Sequence, residues 1–222
     1  MHKADVIKTI RDIGVIPVVR ATSAEEAMRA IDAIREGGIS VLEITMTVPN
    51  AFSLIELVTT RFGSDALVGA GTVLDAETAK SCIASGAQFI VSPALNLETI
   101  AYCREQNVTV MPGALTPTEV VQAWNAGADF VKVFPAGAVG GPGYLKSLKA
   151  PLPQIELVPT GGVSLKTAAD FIRAGAAALG VGADLVDVKA ESSLITERAK
   201  QFVEIVRQAR DELNRVHLRL ID

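Results

Sequence analysis

The stretch "NAGADFVKVFP", Asn125 to Pro135, passes from a helix end into a buried strand, and its reading decides the fold. Gly127 suits the position just past a helix, because glycine reaches positive φ without a Cβ clash. The run that follows is apolar on both faces, as expected of a strand inside a parallel sheet. The same pattern recurs in "REGGISVLEIT" (Arg35 to Thr45), "ASGAQFIVSP" (Ala84 to Pro93) and "RAGAAALGVG" (Arg173 to Gly182), with stop glycines at Gly37, Gly86 and Gly175. Between these units lie "ALVGAG" from Ala66, "VTVMPG" from Val108 and "IELVPTGG" from Ile155, and the first strand is "VIPVV" from Val15. Strands alternating with helical patterns make βαβ units, and eight of them imply an α/β fold of the (β/α)8 TIM-barrel type. An open doubly wound sheet is the alternative, and it too carries its site at the C-terminal strand ends.

Helix starts agree with this division. Ser23 is followed by Glu26, Asp75 by Thr78, and Thr116 by Pro117 at the first helical position. The glycine-rich "PTGG" leads to a helix expected to start near Ser164, and the stretch from about Glu191 to Val216 reads as a last helix with a polar tail. No linker or shift of composition divides the chain, so a single domain over residues 1–222 is expected, with an N-terminal and a C-terminal helix.

Composition narrows the function. Of 222 residues, 49% are hydrophobic and 21% charged, which supplies a core and argues against disorder. The net charge of −4, with no basic run and a single Trp, gives nucleic-acid binding little support. The N-terminal "MHKADVIKTI" lacks the apolar core of a signal peptide, and no run reaches the roughly 18 apolar residues of a membrane span. A cytoplasmic protein that binds neither membrane nor nucleic acid is expected. Cys82 and Cys103 match no metal or disulfide spacing, and they read as small buried hydrophobes. His2 and His217 lie near the ends of the sequence, and no paired-acid or HxH motif falls at a strand end, so neither a metal nor another cofactor is expected.

Lys132 stands between Phe130-Val131 and Val133-Phe134. A lysine is rarely buried unless it is paired. It is either a structural lysine whose head snorkels out or pairs with a carboxylate, or a nucleophile. Burial disfavours an ammonium, and the neutral amine so released attacks carbonyls to form Schiff bases. Glu43 in "SVLEIT" poses the same question with opposite sign. The two either neutralise each other, or the iminium on Lys132 withdraws electrons while Glu43 moves protons. Arg20 ends the first strand as a rim arginine or as a fork for a carboxylate. Thr72 in "GAGTV" is a loop cap or a second donor to that anion. Phe134 and Pro93 wall the site or simply pack. The glycines of "PTGG", Thr160 with Gly161 and Gly162, and of "GVGAD", Gly182 with Ala183, end the seventh and eighth strands. Barrels often build a phosphate site in the loops there.

The motifs "VVR", "LEITMTVPNA", "VGAGTVL", "FIVSP", "MPGALTPTE", "DFVKVFPA", "VPTGGV" and "LGVGADLV" occur in that order. In order and spacing the chain resembles the 2-keto-3-deoxy-6-phosphogluconate / 4-hydroxy-2-oxoglutarate aldolase family from about Val6 to Arg207. The resemblance implies a metal-independent class I aldolase, usually a homotrimer, whose keto-acid substrate is cleaved to pyruvate and glyceraldehyde 3-phosphate. It implies that Lys132 forms the Schiff base, that Glu43 shuttles protons, and that Thr72 and Arg20 touch the pyruvate carboxylate. Two positions depart from the family pattern. Thr47 stands where one branch carries its carboxylate-binding arginine, and Ala183 stands where many members bind phosphate through a serine. An aldolase for the galactonate epimer and a phosphosugar isomerase or epimerase without a covalent step are the alternatives.

Overall fold

The computed structural model describes residues 1–218, with side chains through residue 215. The last residues of the expected domain, 219–222, and the side chain of His217 lie outside the described residues. Helix α1 (Lys3–Ile13) leads into β1 (Val15–Val19), and α2 (Ala24–Glu36) follows. Next come β2 (Val41–Thr45), α3 (Ala51–Phe62), β3 (Leu67–Gly71), α4 (Ala76–Ala84), β4 (Phe89–Val91) and α5 (Leu97–Glu105). The fifth expected strand appears as two pieces, β5 (Thr109–Met111) and β6 (Gly113–Ala114). Pro112 lies between them, and a proline has no N–H to continue a ladder. The chain then runs through α6 (Pro117–Asn125), β7 (Val131–Val133), α7 (Pro142–Lys149), β8 (Leu157–Pro159), α8 (Ala168–Arg173), β9 (Leu179–Val181) and α9 (Ser192–Leu218).

Every strand pairing is parallel. One sheet has the order β5-β4-β3-β2-β1-β9 and the other the order β6-β7-β8. The first strand thus pairs with the last. Isolated parallel bridges, Leu157 with Ala176 and Thr160 with Gly180, tie β8 to the β9 segment.

The caps formed as their sequences imply. Ser23 accepts from the Glu26 N–H, Asp75 accepts from the Thr78 N–H, and Thr116 with Glu119 closes a full capping box. Gly86, Gly127 and Gly175 take φ of 101°, 95° and 97°. The first stop differs from expectation. Gly37 has φ −74°, and the left-handed residue is Gly38, φ 91°. Gly37 is needed for another reason: a Cβ there would lie 2.3 Å from that of Ala199 on α9. The helix expected from Ser164 starts at Ala168, after a turn in which Thr167 Oγ1 accepts from the Ser164 N–H.

Side chains alternate between two apolar layers. Val19, Leu42, Ile44, Val68, Val131 and Val133 face the helices. Their neighbours Ile16, Val41, Leu67, Phe89, Phe130 and Val158 form a second cluster, closed at the N-terminal strand ends by Val6 and Ile10 of α1. The Lys3–Asp129 ion pair, 2.9 Å, holds α1 in place. Gly69 belongs to the second layer, and its missing Cβ would otherwise sit 2.3 Å from the Phe89 ring. No helix among the described residues is long and apolar enough to cross a membrane.

Both cysteines lie buried in this packing, and burial pushes each thiol up to about 12. A thiol held that high stays protonated at neutral pH and does not act as a nucleophile. Ellman's reagent at pH 8 is expected to leave the folded protein unlabelled and to titrate both thiols once it is denatured; rapid labelling of the native chain would contradict this packing.

Candidate active site

Parallel strands direct all their C-terminal ends to one side, and the polar residues of the inner layer gather there. On β2, Val41 belongs to the inner cluster, so Glu43 and Thr45 follow it on the same face. On β7, Phe130 is followed in the same way by Lys132 and then by Phe134. Lys132 is 3% exposed and Glu43 2%. The sequence alternatives for Lys132 thus resolve against snorkelling, because its head does not reach solvent.

Lys132 Nζ stands 3.9 Å from Glu43 Oε1. That is Coulomb range but beyond hydrogen-bond reach. Glu43 Oε1 is buried and has no hydrogen-bond partner among the described residues. A structural ion pair closes to about 2.7–2.9 Å and satisfies its acceptors. Here the two groups stay about 1 Å farther apart than that, and Oε1 is left unsatisfied. Phe134 presents its ring 5.4 Å from Nζ. Gly71 makes room for the acid, since a Cβ there would lie 2.0 Å from Glu43 Oε1.

Beside this pair a pocket of about 220 Å³ opens at the strand ends. Phe134 links it to Lys132, because the ring that faces Nζ also lines the pocket. Arg20, Thr160, Gly161, Gly162, Gly182 and Ala183, all singled out from sequence, line it too. Arg20 is exposed and makes no ion pair or side-chain hydrogen bond among the described residues, so the pocket carries an uncommitted cation. Gly161 and Gly162 take consecutive positive φ, 82° and 79°. A Cβ on Gly162 would strike Gly137 Cα at 2.7 Å. The backbone N–H groups of Gly162, Val163, Ala183 and Asp184 donate to no carbonyl or side chain among the described residues. Backbone N–H groups left free in this way are chemically able to receive an anion.

Thr72 and Pro93 do not line this pocket. Both are half-buried just past β3 and β4. Thr72 has φ 59°, an outlier for a β-branched residue. Such strain collects at functional positions. Sequence reading missed Val18, Val163 and Asp184, which complete the pocket wall. It also missed Ser92, buried behind β4 and donating to the Val73 carbonyl. Nothing in their local sequence marks them; only the meeting of strand ends does. Among the described residues no three His, Cys, Asp or Glu side chains gather as metal ligands. A larger cavity, about 740 Å³ between α2 and the start of α9, is lined by Glu25, Glu26, Asp32 and Glu36 and shares no residue with this site.

Comparison with known proteins follows the same lines. The chain is 35% identical over 195 residues to the 2-dehydro-3-deoxy-6-phosphogalactonate aldolase of Escherichia coli (strain K12), covering 87% of this chain and 95% of that one. It is 35% identical over 167 residues to the 2-dehydro-3-deoxy-phosphogluconate aldolase of Treponema pallidum (strain Nichols), covering 75% and 79%. A solved KDPG aldolase from Legionella pneumophila, with pyruvate captured as a covalent carbinolamine intermediate, superimposes with TM-score 0.81 at 32% identity, covering 88% of this chain and 96% of that one. A protein cage designed by fusing symmetric oligomeric domains superimposes with TM-score 0.87 at 33% identity, over 93% of this chain and 77% of that one. A protein-family model described as KDPG and KHG aldolase matches residues 6–209. On that match the chain belongs to the KDPG and KHG aldolase family.

Proposed function

We propose that this protein is a class I aldolase that cleaves 2-keto-3-deoxy-6-phosphogluconate to pyruvate and glyceraldehyde 3-phosphate through a Schiff base on Lys132. The observation that carries the reading is the buried amine 3.9 Å from an unbonded buried carboxylate oxygen. The chemistry balances with these two groups. Neutral Nζ of Lys132 adds to the C2 ketone, and loss of water with uptake of one proton, which the closing hydrolysis gives back, leaves the iminium. The carboxylate of Glu43 takes the C4 hydroxyl proton, the C3–C4 bond breaks, and its electron pair flows to the iminium nitrogen. The aldehyde leaves. Glu43 returns its proton to C3 of the enamine, and water hydrolyses the iminium to pyruvate and free amine.

Arg20 and the Thr72 hydroxyl receive the keto acid's carboxylate in this reading. The N–H groups of the two glycine-rich loops receive the phosphate. The galactonate epimer is the second substrate reading, favoured by the 95% coverage of the Escherichia coli relative. Cleavage of 4-hydroxy-2-oxoglutarate to pyruvate and glyoxylate needs no phosphate cradle and uses the same amine.

The two sheets read together as one closed (β/α)8 barrel forming a single domain. In support, only Pro112 separates β5 from β6, and parallel bridges join β8 to the β9 segment. A homotrimer in the cytoplasm is the assembly this reading carries; the likeness to a cage built from symmetric oligomeric domains supports oligomerisation.

Lys132→Ala is expected to abolish pyruvate release, and Glu43→Gln to lower kcat by about 10²–10⁴-fold. Removing one member of a buried pair costs roughly 3–5 kcal/mol, so folding is checked by circular dichroism alongside. A folded Lys132→Ala enzyme that keeps its rate removes the covalent step. Ala183→Ser restores a donor at the phosphate cradle. It is expected to lower KM for the phosphorylated acid by about three- to tenfold and leave 4-hydroxy-2-oxoglutarate unchanged. An equal effect on both substrates would place the phosphate elsewhere.

A further inference from the structure

Thr45 ends β2 and is wholly buried. Its Oγ1 makes two hydrogen bonds, to the Val19 carbonyl at 3.1 Å and to Thr47 Oγ1 at 2.6 Å. A threonine hydroxyl has one proton to give. A carbonyl only accepts, so that proton goes to Val19, and Thr47 donates its own to Thr45. The two hydroxyls form a directed chain, Thr47 to Thr45 to Val19.

What the chain reaches matters. Val19 is the last residue of β1, and the next residue is Arg20. The ladder of β1 with β9 stops at Pro17 paired with Val181. The ladder with β2 stops one step after Glu43, at Val19 paired with Ile44. The end of β1 is therefore held from one side only, by β2. Past it Arg20 stands exposed, with no ion pair or side-chain hydrogen bond among the described residues. The Met46 N–H turns away from β1 and donates to the Gly71 carbonyl at 2.8 Å. The Thr45 hydroxyl is the side-chain tie between the two strand ends at the point where Arg20 leaves the sheet.

We propose that Thr45 is a positioning residue for substrate binding: its hydroxyl, oriented by Thr47, anchors the Val19 carbonyl and so aims the Arg20 guanidinium at the carboxylate of the keto acid. The inference rests on the aldolase reading above. It gives Thr47 a role that needs no charge, one step removed from the substrate.

The test compares steady-state cleavage of 2-keto-3-deoxy-6-phosphogluconate by the wild type, Thr45→Val, Thr45→Ser, Arg20→Ala and Arg20→Ala/Thr45→Val. Thr45→Val keeps the shape and loses the hydroxyl. Its KM is expected to rise about tenfold while kcat stays within about twofold, and Thr45→Ser restores KM. In the double variant the Thr45 effect should vanish, because Arg20 is no longer there to aim. Independent, additive losses in KM, or a fall in kcat with KM unchanged, would overturn the proposal. Should Thr45→Val fail to fold, exposed Thr47→Val serves instead. It is expected to raise KM about two- to fivefold in the wild type and not at all in Arg20→Ala; an unchanged KM in the wild type would count against the chain. A wild-type protein that releases no pyruvate would instead sink the aldolase reading itself.

Discussion

A lysine amino group and a glutamate carboxyl are held out of water, 3.9 Å apart, without a hydrogen bond between them. That arrangement is costly. Each charge loses its hydration, and the pair recovers only part of the loss through attraction. Closing the gap would recover more, yet the fold keeps it open. Lys132 and Glu43 are fixed on strands of two different parallel sheets, and Gly71 opens room at the wall of Glu43. A buried acid and a buried amine held close but not hydrogen-bonded to each other keep their proton-exchanging atoms uncommitted.

The rest of the molecule serves this geometry. The inner apolar cluster and α1 seal the N-terminal end. The strand ends then supply polarity in order: the free cation of Arg20, the strained Thr72, and the N–H groups after β8 and β9. Among the described residues no acidic side chain lies within hydrogen-bond distance of Arg20, though Asp184 lines the same pocket.

Much of this was legible in the chain. A charged residue flanked by apolar ones on both sides announces either a cost or a purpose, which is why Lys132 and Glu43 stood out. Caps were legible because Ser23, Asp75 and Thr116 act on residues three positions away. What failed to show was non-local. Pro112 interrupts a ladder only because its neighbours sit beside it in the sheet. The demand on Gly37 comes from Ala199, far along the sequence. Thr45 looks like an ordinary strand residue until Val19 is seen next to it. Thr72 and Pro93 lie just past β3 and β4 as expected, but they stand outside the pocket wall, which Arg20, Phe134 and the glycine-rich loops form together with Val18, Val163 and Asp184.

The central claim is that the amine of Lys132 is free to attack a ketone from within this dry layer. Treating the protein with pyruvate and sodium borohydride, then mapping the digest by mass spectrometry, reads that chemistry directly. The account predicts one reduced pyruvyl adduct per chain, on the peptide carrying Lys132, with activity lost in proportion. Full activity after the treatment, or an adduct confined to exposed lysines, would contradict it.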